Sequence, residues 1–528
     1  MPELTDTKGT KAAAGLTYLI HGLMLIQTIY ILVVCIFYAH LSYARKLKGM
    51  TSNKLLILIG IAGLYSVFLF LKKAEKYQVR NHLLLRMIAA LFFVWQVYAS
   101  YSYYFLSGWD TLVIRTASLA YAEGNAESLQ VLTPYFSQYP NNCLIVVIFG
   151  LISRIGQVLG IGSNHYFLQI IFQCALNSLS GILIFLLGEK LFQKAGAAWV
   201  SYFLYLGLVG ISPWVSIPYS DSLALIFPVL LLYIMLCMRN TGKTGCLRTG
   251  LIFFLSMIGY AIKPQVLIVL IAYIISRILD WIRGTAGIRI DRESLKKGIC
   301  AVCGVIAAFL IIMSSKNVLG MNLDQEQAFG WSHYVMMGLN KKKNGSWYRK
   351  DVMFSMSFPT KKERTRENLR VAKERIEKFG VEGLRKHIRK KTLTNYNDGT
   401  FTWGREGEFF LEVSEDRTPL SSFLKSIYYN KKVGGRRVKK WRNFAQSIWI
   451  ALLFFLLCGV ISKPRQEWTL IILSILGIML FELIFEARSR YFYHYVPVFI
   501  LLGTRGIVKI DGILVRIRNT GPGRALLQ

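Results

Sequence analysis

The chain has 528 residues, with 63 Lys and Arg against 29 Asp and Glu, which gives a formal net charge of +34. Charged residues make up only 17% of the sequence, hydrophobic residues make up 54%, and the mean hydropathy is +0.41. This composition excludes a disordered basic tail and argues against a water-soluble nucleic-acid-binding protein. It is typical of an integral membrane protein whose few, mostly cationic charges lie outside the bilayer. We therefore expect no nucleic-acid partner.

Twelve apolar stretches of about 17 to 25 residues are long enough to cross the hydrocarbon core of a bilayer as helices. They predict an all-α polytopic membrane protein with about twelve transmembrane helices. The stretches lie near 16–42, 55–71, 83–106, 165–188, 196–213, 221–239, 248–263, 265–282, 297–314, 444–461, 468–486 and 492–508.

The Lys and Arg residues of the short loops place both termini in the cytoplasm. One loop violates the rule, because Arg45, Lys46 and Lys48 fall on the outer side. The same orientation requires the apolar segment 143–161, which is interrupted by polar residues, to be a re-entrant or interfacial helix on the outer face.

This topology divides the chain into five segments, of which two lie largely outside the bilayer. In the second of these two segments, the basic loop domain, residues 361–391 have the pattern of an amphipathic helix with basic residues around an apolar side. The pattern suits either a helix on an anionic membrane surface or a solvated helix that packs on its own domain. The segments are an N-terminal three-span segment (1–106), a first outer loop with the interfacial helix (107–164), central transmembrane helices (165–314), a basic extracytoplasmic loop domain (315–442), and a C-terminal three-span segment with a cytoplasmic tail (443–528).

Two aspartates open segments on the predicted outer face. Asp110 begins the first outer loop, and Asp221 begins the sixth span in the sequence PYSD. A carboxylate such as Asp110 can act as a general base that accepts the proton of an attacking hydroxyl. The structural alternative for both residues is capping of a helix N-terminus. Lys263, which precedes a proline between two spans, adds a cation at another outer turn.

The sequence YFSQYPNN precedes the predicted interfacial helix. Tyr139, Asn141 and Asn142 form a hydrogen-bonding surface suited to a sugar. Pro140 also fits a helix start, and the two asparagines are suitable capping residues, so a purely structural interpretation is adequate as well.

A cluster of arginine and tyrosine lies between the last two spans, in the sequence EARSRYFYHY. Arg488 and Arg490 violate the positive-inside rule, and a guanidinium group binds phosphate oxygens through a fixed fork of donors. Tyr491 and Tyr493 are candidate substrate-binding residues, although an interfacial aromatic belt has the same composition.

No metal site is predicted, because no spacing of His, Asp or Glu matches a known ligand pattern; a divalent cation is left open. Most of the eight cysteines lie in or beside apolar runs and are interpreted as buried small hydrophobes. Cys300 and Cys303 form a C-x-x-C motif without a second pair, which is weak evidence for a metal or redox site.

Together these features resemble bacterial GT-C glycosyltransferases. They are an Asp in the first large outer loop, a YPNN element before a half-buried helix, a second Asp that opens a later span, and the motif R-x-R-Y-x-Y-x-x-x-P-V. More narrowly, the chain resembles the family 39-type, protein mannosyltransferase-like membrane enzymes of Gram-positive bacteria. The segments HYVMMGLN (333–340) and NDGTFTWG (397–404) are similar to loop motifs of those proteins.

The resemblance implies inverting transfer of a sugar from a polyprenyl-phosphate-linked donor to a cell-envelope glycan or protein, at an extracytoplasmic site of the cell membrane. Asp110 matches the catalytic aspartate, Asp221 matches the second acidic residue, and Arg488 and Arg490 match basic positions near the donor phosphate. Lys263 supplies a further cation for the leaving phosphate.

The chain departs from that family in two extra spans before the first outer loop and in a Trp-Asp pair where an acidic pair is common. A transporter or flippase of lipid-linked glycans is the alternative function, because it also combines many spans with outer arginines. Paired, Gly- and Pro-interrupted halves would favour a transporter, and the sequence shows no such symmetry.

Overall fold

A computed structural model describes residues 8–41, 51–74, 81–161, 165–284, 292–403, 410–414, 416–429 and 435–520. Arg45, Lys46 and Lys48, whose predicted location violates the positive-inside rule, lie outside the described residues. Helices dominate the described part of the chain, where the β-structure is limited to one pair of short strands.

The helices fall into a first group that runs through the predicted sixth span and a second group that follows it. The first group is α1 (Lys8–Phe37), α2 (Asn53–Ala74), α3 (Asn81–Tyr103), α4 (Asp110–Glu123), α5 (Ala126–Val131), α6 (Thr133–Gln138), α7 (Asn142–Val158), α8 (His165–Phe192), α9 (Ala195–Tyr205), α10 (Ser220–Leu223) and α11 (Ile226–Cys237). The second group is α12 (Gly242–Ile262), α13 (Leu267–Ile282), α14 (Arg292–Asn317), α15 (Trp331–Gly338), α16 (Arg349–Met356), α17 (Lys361–Tyr396), α18 (Pro419–Tyr428), α19 (Arg436–Val460), α20 (Gln466–Ile484) and α21 (Val496–Thr520).

Ten helical segments among the described residues are long and apolar enough to cross a membrane, which confirms the all-α polytopic class. They coincide with ten of the twelve predicted stretches. The stretch 196–213 is shorter than predicted, because α9 passes into a π-helical turn that ends at Gly210, shortly before Pro213. The stretch 492–508 begins only at Val496, after a 3₁₀ turn (Ser489–Tyr495), and continues as a charged helix to Thr520.

The predicted interfacial helix forms as α7, with 17 residues. At a rise of about 1.5 Å per residue it is about 25 Å long, which is shorter than the hydrocarbon core of about 30 Å. Its buried face carries Leu144, Ile145 and Phe149 and packs against α4 and α8. The helix therefore belongs to the wall of the first loop segment rather than to the set of ten spans.

Small residues allow the helices of the bundle to approach closely, most clearly where α19 crosses α21. A Cβ atom on Gly506 would overlap the carbonyl oxygen of Phe455, and one on Gly459 would overlap the carbonyl oxygen of Leu502. Glycine at a helix crossing lets two backbones come into contact, which increases van der Waals packing between helices in a membrane. Gly459 and Gly506 thus allow α19 and α21 to pack with their backbones in contact.

The long helix α17 differs from the prediction for residues 361–391. It continues to Tyr396 and is kinked at Gly380, which has a φ of 56°. Its buried face carries Arg364 and Asn368, whereas Leu369 is 37% exposed and Ile376 is 46% exposed. The packing face of this half of α17 therefore includes polar residues, and Leu369 and Ile376 of the predicted apolar side remain exposed.

The reason for the polar packing face is hydrogen bonding to loop carbonyl groups. Arg364 donates from Nε to Ser355 O (2.8 Å), from Nη1 to Glu326 O (2.7 Å) and from Nη2 to Phe358 O (2.8 Å). A satisfied guanidinium group can be buried at little net cost, because each of its donors replaces a lost bond to water.

The end of α17 and the loop that follows it enter the core of the bundle. Phe401 and Trp403 are buried, and their rings contact Trp449 and Trp214 at centroid distances of 5.2 and 5.3 Å. Trp214 Nε1 donates to the carbonyl oxygens of Thr400 and Phe401 at 3.2 and 3.1 Å. The segment 397–403 is thus a structural part of the bundle.

Two short strands, β1 (Phe105–Ser107) and β2 (Phe410–Val413), connect two parts of the fold. β1 follows α3, and β2 lies after the segment 397–403. They pair antiparallel, with Phe105 opposite Val413 and Leu106 opposite Glu412. Ser414 N also donates to Tyr104 O at 2.9 Å. The pairing holds the start of the first loop segment, and therefore Asp110, against the bundle.

Candidate active site

Asp110 is the first residue of α4 and is partly buried. The preceding Trp109 makes no side-chain cap, and the Asp110 carboxylate is turned toward the bundle, where Oδ2 accepts a hydrogen bond of 3.2 Å from the Tyr219 hydroxyl. Burial raises the pKa of Asp110 above its usual value, while the positive charge of Arg490 and the bond from Tyr219 lower it. The side chain is therefore a carboxylate with raised basicity rather than a helix cap.

Asp221 lies in the short helix α10 and is 2% exposed. Its Oδ1 accepts a hydrogen bond from Lys263 Nζ, and its Oδ2 lies 3.5 Å from Arg490 Nη1. The Asp221 carboxyl group is thus buried between two basic side chains, and such pairing offsets the desolvation cost of burying an ion pair. The structure thus brings Asp221, Lys263 and Arg490 into one ion cluster.

Lys263 reaches this cluster because Pro264 interrupts the path of the chain between α12 and α13. Proline disfavours the helical conformation in the residue before it, and Lys263 is extended, with φ of −152° and ψ of 111°. Burial lowers the pKa of the Lys263 ammonium group, and the carboxylate of Asp221 opposes this effect. Lys263 is therefore the buried counter-ion of Asp221. It is not an exposed lysine that is available to bind an anion.

Arg490 connects the two aspartates. Its guanidinium carbon lies 4.1 Å from the ring centroid of Trp109 and 5.8 Å from that of Tyr219. Cations are attracted to aromatic faces at such distances. The ring of Tyr219 and the guanidinium group of Arg490 together bridge Asp110 to Asp221, so the two predicted acidic residues share one site.

Glu486 and Arg488 form the neighbouring part of the site. Glu486 Oε1 accepts a hydrogen bond of 3.0 Å from the Tyr491 hydroxyl and lies 3.6 Å from Arg488 Nε. The Arg488 side chain is 19% exposed, compared with 6% for Arg490. Arg488 is therefore the more accessible of the two arginines. The ring of Tyr491 also contacts Lys263, whose Nζ lies 5.4 Å from the ring centroid.

The YPNN segment and the residues before it also contact Asp110, through Tyr135. Asn142 Nδ2 donates to the Tyr135 hydroxyl at 2.9 Å, and Asn141 Nδ2 donates to Asn142 Oδ1 at 3.2 Å. The two amides thus orient Tyr135, which interacts with the Asp110 carboxylate. Neither asparagine caps α7 through its side chain.

Tyr139 completes an aromatic wall of the site. Its ring centroid is 5.1 Å from that of Tyr135 and 5.3 Å from that of Phe329. Burial raises the pKa of the Tyr139 hydroxyl, and the nearby carboxylates of Asp110 and Glu486 raise it further. A neutral phenol at this position can donate a hydrogen bond to a bound group.

Four residues of this site had no assigned role in the sequence analysis: Tyr135, Tyr219, Tyr334 and Glu486. Tyr334 is buried near both Glu486 and Asp110. Each of them is contained in a segment already singled out, namely YPNN with its preceding residues, PYSD, HYVMMGLN and EARSRY. Tyr219 stands two residues before Asp221, and Glu486 stands before the arginine and tyrosine cluster, whereas the segments that contain Tyr135 and Tyr334 carry no acidic residue that could have served as a signal.

Tyr493 does not point toward this cluster. Its hydroxyl donates to Val209 O at 3.3 Å, its ring lies 5.4 Å from that of Phe401, and it is 1% exposed. The geometry assigns it to the core, so its predicted contact with a substrate has no structural support.

The two further loop motifs fix the surroundings of the site. In HYVMMGLN, His333 Nδ1 lies 2.7 Å from Ser355 Oγ, and Asn340 Nδ2 donates to Asp351 Oδ2 at 2.8 Å. In NDGTFTWG, the Asp398 carboxylate accepts hydrogen bonds from the backbone N–H groups of Thr400 (2.9 Å) and Thr402 (3.0 Å). These hydrogen bonds stabilise the local fold of both motifs, and Tyr334 of the first motif also lies near Glu486 and Asp110.

Lys391 ties this part of the chain to the site. It is 2% exposed, and its Nζ donates to Phe485 O and, at 3.1 Å, to Gly338 O. Burial lowers the pKa of its ammonium group to about 7. The lysine therefore joins α17 to α15 and to the segment that carries Glu486, Arg488 and Arg490.

Two carboxylates of the site contact cations: Asp221 contacts Lys263 and Arg490, and Glu486 contacts Arg488. Within the described ranges, no group of three His, Cys, Asp or Glu side chains is arranged to hold a metal ion. Of the C-x-x-C pair, Cys303 is exposed and Cys300 is partly buried on α14. Three cysteines are buried, so the expectation of buried small hydrophobes holds for Cys35, Cys143 and Cys174.

The fold and this cluster define a polytopic integral membrane protein with a buried, charged and tyrosine-lined site at one end of its bundle. Residues 11–509 match the family model described as conserved hypothetical integral membrane protein, and the chain belongs to that family. No curated protein and no solved structure gives a significant match.

Proposed function

We propose that the protein is an inverting membrane glycosyltransferase. It transfers a sugar from a polyprenyl-phosphate-linked donor to a cell-envelope glycan or protein, at a site on the extracytoplasmic face of the cell membrane. One observation carries the proposal: Asp110, a carboxylate of raised basicity, shares a tyrosine-lined site with Arg488 and Arg490. This combination supplies a base, cations for a phosphate group, and hydrogen-bonding groups for a sugar.

Asp110 is the proposed general base. In an inverting transfer, one carboxylate removes the proton from the acceptor hydroxyl while its oxygen attacks the anomeric carbon. The new glycosidic bond forms as the bond to the phosphate oxygen breaks, and the proton ends on Asp110. A base with a raised pKa holds this proton better, and such catalysis contributes about 10² to 10⁴-fold to the rate.

The arginines stabilise the leaving group. A polyprenyl phosphate gains negative charge as the glycosidic bond breaks, and positioned guanidinium donors lower the free energy of that state. Arg488 is the more accessible donor, and Arg490 is held between Asp221 and the rings of Trp109 and Tyr219. Arg488 thus contacts the phosphate directly, and Arg490 and Lys263 contribute their charge from behind it.

Tyr139, Tyr491 and the Asn141–Asn142 pair surround the position of the sugar. Tyr139 and Tyr491 present hydroxyl groups, and the amides act by orienting Tyr135. A divalent cation fits poorly here, because two of the three carboxylates of the site, Asp221 and Glu486, are already paired with Lys263, Arg490 and Arg488. The proposed reaction therefore includes no step through a metal ion.

A transporter of lipid-linked glycans is the second candidate function. One observation favours it: Glu482, in the last turn of α20, is fully buried, and neither of its carboxylate oxygens has a hydrogen-bond partner among the described residues. Ionisable residues within membrane spans commonly mark pathways for ions or substrates.

The two candidates are distinguished by supplying the purified protein in proteoliposomes with undecaprenyl-phosphate-linked hexoses and envelope glycans of a host strain. Glycosyl transfer predicts release of undecaprenyl phosphate and appearance of the hexose on the glycan. If the intact donor moves between leaflets and no hexose tested is cleaved from it, the result would reject glycosyl transfer and support the transporter function.

A further inference from the structure

A second cationic region surrounds the end of α1, away from the ion cluster of the candidate active site. Lys54 Nζ lies 5.3 Å from the ring centroid of Phe37, and the guanidinium carbon of Arg389 lies 4.2 Å from that of Tyr38. Lys54 belongs to the start of α2, and Arg389 belongs to the second half of α17. Two separate elements therefore bring cations to the same end of one membrane-spanning helix.

Three more basic residues lie on the same turns of α17. Arg385 and Lys386 have side chains that are 60% and 65% exposed, and Lys390 is exposed as well. We call Lys54, Arg385, Lys386, Arg389 and Lys390 the basic collar.

The charge of the basic collar is only partly balanced. Arg385 and Lys386 share one carboxylate, that of Glu382. Lys54, Arg389 and Lys390 have no carboxylate within salt-bridge distance in the part of the chain that the structure describes. The collar therefore carries a net positive charge that the neighbouring protein does not neutralise.

The surroundings of the collar point to a lipid surface. Phe37 is 58% exposed, and Val33, one helical turn deeper in α1, is 41% exposed. Exposed apolar side chains on a spanning helix face the hydrocarbon, so the collar lies at the depth of the headgroups. Val381, which follows the kink of α17 and is 90% exposed, provides a further apolar contact for that interface.

We propose that the basic collar binds the phosphate groups of anionic phospholipids. Basic side chains next to an anionic leaflet gain electrostatic energy, and long side chains extend to the headgroups while their apolar parts stay near the hydrocarbon. In the predicted orientation the collar lies on the outer face, where the positive-inside rule gives no reason for it. The inference does not depend on the proposed glycosyl transfer.

The test is competitive lipid binding by the full-length protein in neutral detergent, measured by native mass spectrometry. Phosphatidylglycerol and phosphatidylcholine with identical acyl chains are supplied together. The collar variant is Lys54→Ser/Arg389→Gln/Lys390→Ser. The control variant, Lys362→Ser/Arg366→Gln/Lys373→Ser, removes the same residue types and the same charge from the exposed first half of α17.

We expect the wild type to prefer phosphatidylglycerol and the control variant to retain that preference. The collar variant is expected to lose at least about tenfold of the preference, because each basic residue near an anionic surface increases the affinity about fivefold. Excess inorganic phosphate is not expected to displace the lipid.

Any of four results would overturn the proposal. The wild type could bind both lipids equally, the collar variant could keep its preference, the control could lose the preference to the same extent, or inorganic phosphate could displace the lipid. Because Arg389 packs on Tyr38, the triple variant can be poorly folded. The variant Lys54→Ser/Lys390→Ser, which changes only exposed side chains, then serves for the same comparison with Lys362→Ser/Lys373→Ser.

Discussion

Arg490 is the residue through which the two aspartates of the site interact. Its Nη1 lies 3.5 Å from Asp221 Oδ2, and its guanidinium group lies over the ring of Trp109. Its positive charge lowers the pKa of Asp110. Arg488 has the same effect on Asp110 but contributes less. The two arginines are therefore expected to differ in their influence on the proposed base.

This difference predicts a pH effect. Asp110 is active when ionised, so the rate of transfer falls as the pH falls through its pKa. Loss of a nearby cation raises that pKa further, which moves the acidic limb of the rate profile to higher pH. We expect Arg490→Gln to shift the limb more than Arg488→Gln does, as measured from kcat against pH with a polyprenyl-phosphate sugar.

The position of the limb, rather than the height of the profile, is the relevant measurement, because both substitutions also remove a cation from the phosphate site. An acidic limb that stays in place in Arg490→Gln, or that moves to lower pH, would be inconsistent with Asp110 as the group that titrates.

The candidate residues were predictable from the sequence individually but not as a set. Asp110, Asp221, Lys263 and the two arginines are ionisable residues at the ends of apolar stretches, and this is visible in the sequence. Their partners are separated by long distances along the chain, such as the 109 residues between Asp110 and Tyr219. Such contacts depend on the packing of helices, which periodicity alone does not determine.

The helical elements follow from the apolar stretches, and their crossings depend on small residues. At the crossing of α19 and α21, Gly506 has no room for a side chain next to Phe455. A substitution there must separate the two helices, and overpacking of this kind commonly costs about 1 to 3 kcal/mol.

We therefore expect Gly506→Val to lower the midpoint of thermal unfolding in detergent, as measured by intrinsic tryptophan fluorescence. The matched control is Gly512→Val on the same helix, where a Cβ atom meets no atom within 4 Å. Equal midpoints for the two variants would show that the α19–α21 crossing tolerates separation and does not fix the helices.

Element boundaries were predicted well where apolar residues run without interruption and poorly where other forces decide. The helix starting at Val496 begins later than its apolar stretch, since residues 489–495 form a 3₁₀ turn that places Arg490 in the site. In α17, periodicity did not indicate that Arg364 is buried through hydrogen bonds to loop carbonyl groups while Leu369 and Ile376 stay exposed.

At the scale of the whole molecule, the net charge of +34 divides among regions with different roles. In the predicted topology, some cations lie in short loops that orient the spans. The basic collar lies at the end of α1, and a few cations are buried with acidic partners in the candidate active site. The all-α membrane class follows directly from composition and hydropathy. The division of the charge among these regions could not be predicted from the sequence. It became visible from the contacts of α17 with α1 and of Arg490 with Asp221.

The central claim is that Asp110 is the base of a sugar transfer, and the most direct measurement is the transfer rate of Asp110→Asn in proteoliposomes supplied with an undecaprenyl-phosphate hexose. The matched control is Asp280→Asn, which changes a buried aspartate that Arg277 and Gln466 contact in another part of the bundle. We predict that Asp110→Asn lowers kcat by about 10² to 10⁴-fold, while Asp280→Asn leaves it nearly unchanged. Wild-type transfer by Asp110→Asn would contradict the account.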